Sequence, residues 1–226
     1  MIKAVLFDLD NTLLDFMSVK KKAVDAAVLA MIEAGLSIDA DIARQNIFTI
    51  YDKKGYEYQE VFDEFLIGFH GDLDYKILAS AIVAYRKTKE ASIILYPNVS
   101  STLIKLAKSG YRLAVVSDAP SREAWVRLYS VNLHHLFDVV VTYNDTGKLK
   151  PSPEPFNRAV ELLEIPPENI IMVGDWPERD VAGAKLVGMK TAFAKYGDVF
   201  NTKDSGADYD LNNISEILKI VEKNHQ

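Results

Sequence analysis

Apolar positions follow two rhythms along this chain, and the change from one to the other divides it. Ile2 to Phe7 is a short apolar run, β-branched at two positions, stopped by Asp8-Leu9-Asp10-Asn11-Thr12. A run so short and so bounded predicts a strand buried on both faces. From residue 16 to 92 the spacing turns helical. Val19, Ala23, Ala26, Ala27, Ala30, Met31 and Ala34 recur on one face until Gly35. Residues 39–54 form a less cleanly patterned helix. Val61, Phe62, Phe65, Leu66 and Phe69 make another face closed by Gly71, and Ile77, Leu78, Ala81, Ile82 and Tyr85 one more. Three or four helices without strands predict a compact bundle, with the aromatic stripe at 62, 65 and 69 serving as core.

Past Ile93 and Pro97, helices and short apolar strands alternate. Strands are predicted over 112–116, 138–142, 170–173 and 190–194, the last of these closing the sheet. Helices are predicted over 103–109, 121–131, 154–164 and 179–187. Asn213-Ile214-Ser215-Glu216 has a capping-box pattern and opens a final helix through Ile217, Leu218 and Val221. Such alternation predicts right-handed crossovers and a parallel sheet. The expected fold class is therefore α/β. Residues 1–15 and 93–226 form a doubly wound, Rossmann-like core, and residues 16–92 form a small α-helical bundle inserted after its first strand.

Composition trims the choices. A chain of 226 residues, 49% hydrophobic and 26% charged, is an ordinary globular protein. Its net charge of −6, with no long basic block, argues against nucleic acid or an anionic membrane as partner. The same excess repels anions at long range, so a phosphorylated ligand needs a local positive site. Cysteine is absent, which removes disulfides, thiolate catalysis and Cys-ligated zinc. No apolar stretch approaches the roughly 20 residues that span a bilayer. Aspartates so soon after Ile2 leave no room for a signal peptide. A cytoplasmic protein, monomer or homodimer, is expected.

The polar residues at the strand ends carry the chemistry. Asp8 and Asp10 cannot both be comfortable as bare anions, so a metal ion, a shared proton or both must neutralise them. Strand 112–116 runs into Ser117-Asp118-Ala119-Pro120, where a hydroxyl and following backbone N–H groups suit phosphate oxygens. Lys150 precedes Pro151, which holds it extended as a stiffly presented charge. Strand 170–173 ends in Gly174-Asp175, with Asp180 in the first turn of the next helix. In a parallel sheet Asp8, Asp10 and Asp175 converge on one edge with Ser117 and Lys150. A carboxylate cluster without Cys or His suits Mg2+, which keeps several waters and pairs with a substrate phosphate. The pair His134-His135 reads as helix-terminal rather than as a metal site.

In order and spacing, Asp8-Leu9-Asp10-Asn11-Thr12-Leu13, then Ser117, Lys150-Pro151, and Gly174-Asp175 with Asp180 resemble the four motifs of the haloacid dehalogenase (HAD) superfamily. The similarity covers the whole chain, with residues 16–92 in the place of that family's helical cap. It implies that Asp8 is a nucleophile forming an aspartyl-phosphate, and that Asp10 is the general acid and then the base. It implies a Mg2+ site made of Asp8, the Asp10 backbone carbonyl and Asp175, with Asp180 in support. Ser117 and Lys150 would bind the phosphoryl group. Asp118, in the same loop, is expected on the substrate side with them, although it stands where similar phosphatases often carry Asn. Trp176-Pro177 is likewise bulkier than usual for the family.

Similar true dehalogenases typically lack an acid two residues after the nucleophile and lack the Gly-Asp motif. Asp10, Gly174 and Asp175 therefore favour a phosphatase acting on a small phosphorylated metabolite. A phosphomutase, a dehalogenase and a phospho-accepting receiver-like module remain the alternatives. Within the cap, Arg44, Tyr51, Lys53 and Lys54 are the candidates for choosing the leaving group.

Overall fold

The computed structural model describes residues 1–223. The chain forms two compact units: one runs from Met1 to Phe16 and resumes at Ile94, and the other spans Met17–Ile93. In chain order, β1 (Ala4–Phe7) precedes four helices, α1 (Phe16–Glu33), α2 (Ala40–Lys54), α3 (Val61–His70) and α4 (Tyr75–Ser92). Then come α5 (Val99–Lys108), β2 (Arg112–Val116), α6 (Ser121–Ser130), β3 (Val139–Val141), α7 (Tyr143–Thr146) and α8 (Pro153–Leu163). The chain continues through β4 (Ile170–Gly174), α9 (Ala182–Leu186), β5 (Lys190–Ala194), β6 (Tyr209–Leu211) and α10 (Glu216–Lys223).

The six strands form one sheet in the order β3-β2-β1-β4-β5-β6, and every neighbouring pair is parallel. Winding proceeds outward from β1 to β3, then reverses to place β4 on the other side of β1. This is a doubly wound α/β sheet, as the strand-helix alternation predicts. Ala4 and Leu6 pack with Phe156 of α8 and Ala184 of α9. Val5 and Phe7, pointing the opposite way, are equally buried. With both faces covered, β1 has no polar alternation, which explains its continuous apolar run.

Two predicted features change. The sheet does not close at residue 194, because β6 pairs with β5 at its edge. Its sequence Tyr-Asp-Leu has only Leu211 buried, so the strand is made by backbone pairing and leaves little trace in the pattern. The helix expected over 179–187 is also split. A wide π-type turn, Pro177–Val181, precedes the five-residue α9, and it carries Asp180 into the core rather than onto a solvated helix start.

The chain leaves the core unit and re-enters it at one place. Leu14 and Leu95 pair as an isolated antiparallel bridge. The Asp15 N–H donates to the Ile94 carbonyl at 3.2 Å, and the Tyr96 N–H to the Leu13 carbonyl at 3.0 Å.

The helical unit has its own apolar core, including Val24, Met31, Ile47, Phe62, Phe65 and Leu66. Asp39 and Asp74 cap α2 and α4 by accepting backbone N–H groups of the first turn, each worth about 1 kcal/mol. Tyr51, expected among the ligand-choosing residues, belongs to this core and is 1% exposed. Arg44 is held by Asp25 at 2.6 Å and by Asp41, and Lys54 lies 3.7 Å from Glu64. The buried cation of this unit is instead Lys20. Its Nζ donates to the Tyr56 carbonyl at 2.6 Å and to the Tyr85 hydroxyl at 2.8 Å, and it lies 3.9 Å from the centre of the Tyr51 ring. Lys20 sits between Val19 and Ala23 on the inner face of α1, a phase that reveals its burial only once that face is known.

Candidate active site

The strand order reverses beside β1, and the carboxyl edge of the sheet at such a reversal is the place where these folds bind ligands. Asp8 follows β1, Ser117 follows β2 and Asp175 follows β4. The sheet bonding continues into these residues: the Asp8 N–H donates to the Val173 carbonyl at 2.9 Å, and the Ser117 N–H to the Val141 carbonyl at 2.9 Å. Their side chains are thus fixed by strand register rather than by mobile loops.

Lys150 ties the cluster together. Its ammonium donates to Asp8 Oδ1 at 2.5 Å, to Asp180 Oδ1 at 2.6 Å and to the Val116 carbonyl at 3.1 Å. Asp180 Oδ2 accepts the Trp176 N–H at 3.0 Å. Gly174 makes room for this carboxylate, since a β-carbon there would lie 2.3 Å from the Asp180 carboxyl carbon. Asp175 Oδ1 accepts the Thr12 hydroxyl at 3.0 Å. Asp8, Asp175 and Asp180, all buried, each offer an oxygen within 4.8 Å of the others.

Charge is unbalanced here. Burial raises Asp8 to about 7, with Lys150 opposing and Asp180 and Asp10 adding to the rise. Burial, then Asp8 and Asp180, push Asp175 well above the usual carboxylate range. For Lys150, burial works against the charge, but Asp180, Asp8 and Asp118 outweigh it and its pKa rises. Against the carboxylates of Asp8, Asp10, Asp175 and Asp180 stand the fixed cations Lys150, paired with Asp8 and Asp180, and Arg127, paired with Asp10. The three-carboxylate group could hold a metal ion, and its all-oxygen donor set fits Mg2+.

The side chains of Asp10 and Asp118 have arginine partners. The side chain of Asp10 lies outside the three-carboxylate group. Its Oδ2 accepts Arg127 Nη1 at 2.7 Å. Asp118 was expected beside the substrate with Ser117. Its Oδ1 instead accepts the Lys150 N–H at 2.8 Å, and its Oδ2 meets Arg179 Nη1 at 3.1 Å. With both oxygens engaged and a charge that repels phosphate, Asp118 anchors the Lys150 loop. Ser117 is buried, and its Oγ accepts the Ala119 N–H at 3.2 Å. His134 stacks on Tyr129 with ring centres 4.0 Å apart; among the described residues neither histidine joins a metal-binding group.

Sequence reasoning missed three supports. Thr12 orients Asp175, and the Tyr196 hydroxyl donates to the Thr12 carbonyl at 2.9 Å. Gly197 lies against Asn11, whose φ is 60°. Arg127 is the third, and its position between Ala124 and Leu128 on the inner face of α6 was the available signal.

A family model for haloacid dehalogenase-like hydrolases matches residues 2–188. The chain belongs to this family. It is 34% identical over 224 residues to a glyceraldehyde 3-phosphate phosphatase of Methanocaldococcus jannaschii, covering 98% of this chain and 97% of the relative. The protein of that name from Methanopyrus kandleri is 34% identical over 229 residues, with 98% and 97% covered. The crystal structure of a HAD phosphatase from Thermococcus onnurineus superposes with a TM-score of 0.67 at 30% identity, covering 97% of this chain and 98% of that one. The HAD resemblance read from the motifs is thus borne out, as is the α/β sheet it implies.

Proposed function

We propose that this HAD-family hydrolase is a Mg2+-dependent phosphatase that cleaves a small phosphorylated metabolite through an aspartyl-phosphate on Asp8. The observation that carries this reading is the convergence of Asp8, Asp175, Asp180 and Lys150 at one sheet edge, with Asp10 two residues from Asp8. A carboxylate of Asp8 attacks phosphorus while Asp10 protonates the departing alkoxide. Asp10 then takes a proton from the water that attacks the aspartyl-phosphate, and inorganic phosphate leaves. Lys150 exchanges a carboxylate partner for a phosphoryl oxygen, and the Ser117 hydroxyl donates to another. Asp8, Asp175, Asp180 and the Asp10 carbonyl would hold Mg2+, which supplies positive charge against the phosphoryl oxygens. Positioning and charge neutralisation of this kind carry most phosphoryl-transfer catalysis. Carbon–halogen cleavage needs neither a proton for its leaving group nor the acidic cluster, so the dehalogenase reading has no use for these residues.

The names of the relatives make glyceraldehyde 3-phosphate the first substrate to try. In the absence of cysteine and of any described helix long and apolar enough to cross a membrane, we place the work in the cytoplasm. Phosphate release from glyceraldehyde 3-phosphate and a panel of sugar and triose phosphates, with Mg2+ and with EDTA, tests the reading. Mg2+-dependent release supports it; no release from any ester, or full activity after chelation, overturns it.

A further inference from the structure

Arg127 is separated from Asp10 by 117 positions in the chain, yet donates to its carboxylate at 2.7 Å. The arginine is 2% exposed, deeper than most of its own helix. Its guanidinium also lies 4.7 Å from the centre of the Phe16 ring. Taking a guanidinium out of water is costly unless its partner and geometry are fixed. A buried ion pair is also a poor way to gain stability, since apolar residues of similar volume serve as well or better. What the contact does fix is direction: Asp10 follows Leu9 into a turn in which Asn11 has a positive φ, and the guanidinium sets where its carboxylate points.

We infer that Arg127 is the positioning residue for the Asp10 carboxylate, holding it where it can meet the leaving-group oxygen. The role rests on the phosphatase reading above. Arg127 itself never yields a proton, because a guanidinium stays charged in proteins. It acts through Asp10, and its loss should therefore copy, in weaker form, the loss of Asp10. Aryl esters with good leaving groups need little protonation; alkyl phosphates need much.

Steady-state kinetics with Mg2+ on glyceraldehyde 3-phosphate and p-nitrophenyl phosphate test this, comparing wild type with Arg127→Met, Arg127→Lys, Asp10→Asn and the Asp10→Asn/Arg127→Met double variant. Misplacement of a catalytic group by about 1 Å can cost on the order of 100-fold. Arg127→Met should therefore lose about 10- to 100-fold in kcat on the alkyl phosphate, with KM within about threefold and a much smaller loss on the aryl ester. Arg127→Lys should recover most of the loss. In the Asp10→Asn background the same change should cost no more than about twofold. Thermal melting of each variant guards against misfolding, and Arg127→Lys keeps the test alive if Arg127→Met does not fold. Equal losses on both esters, or an undiminished loss without Asp10, overturns the positioning role while leaving the phosphatase reading intact. A wild-type protein inactive on both esters strikes the reading first and the role with it.

Discussion

The carbonyl oxygen of Asn11 occupies the space a side chain on Gly197 would need: a β-carbon there would lie 1.7 Å from it. The same β-carbon would lie 3.3 Å from that of Asp175. Backbone thus presses on backbone behind the turn that carries Asp10 and Thr12. Gly197→Ala should force this turn to shift, costing about 1–3 kcal/mol of stability and disturbing Asp10 and Asp175 together. Urea denaturation and phosphate release check it. A variant with wild-type midpoint and kcat would show that the turn yields freely.

The two aspartates of the first motif should separate by leaving group. Asp8→Asn should abolish turnover and leave no aspartyl adduct to trap. Asp10→Asn should slow alkyl phosphates by about 10²- to 10⁴-fold, the usual worth of a general acid, and slow p-nitrophenyl phosphate far less. Equal losses across leaving groups would make Asp10 a metal-positioning residue only.

Lys150 sits against both Asp8 and Asp180. Lys150→Ala should lower kcat on every ester by about 10²- to 10³-fold, because the lost charge stabilises oxygens that gain charge during transfer. A loss confined to KM would instead assign Lys150 to uniform substrate binding.

Metal-free protein should lose stability as the solution becomes less acid. Asp8 titrates near 7 in the fold against an ordinary 3.8, so the native state binds more protons than the unfolded chain between those values. Stability from this group is full below about pH 4 and declines as pH rises to about 7. Asp175, raised in the same direction, adds to the decline. Mg2+ takes the place of those protons, so it should raise the melting temperature more at pH 8 than at pH 5. Calorimetry with EDTA and with Mg2+ reads this directly. A Mg2+ shift independent of pH would remove the carboxylate cluster as its site.

Much of this was legible in the sequence because the signals were local. The apolar run of β1 ends in Asp8, and strand ends elsewhere deliver Ser117 and Asp175, so parallel topology alone brings them together. Lys150 was legible because the neighbouring proline restricts it. Side-chain direction was not. Asp10 and Asp118 occupy the expected loops, but their partners, Arg127 and Arg179, come from remote positions; the helix phase marks Arg127 as inward-facing without saying which carboxylate it meets. Tyr51 failed for a related reason. In a helix of mixed pattern, which residue faces inward depends on partners from other helices, such as Lys20 of α1 beneath the Tyr51 ring. β6 was invisible because backbone pairing, not apolar alternation, makes it a strand.

The bridge between Leu14 and Leu95 has a consequence for how this chain came to be and how it tolerates change. The 80 residues between them are entered and left through a single backbone gate, already closed by hydrogen bonds within the core unit. Closing a loop costs only about 0.6 kcal/mol more for each doubling of its length. An insertion of half or twice the size would therefore burden the sheet very little. The strand-end carboxylates and Lys150 all lie outside this gate in the chain, so the excursion can be lengthened, shortened or rewritten by descent while the reacting residues keep their register.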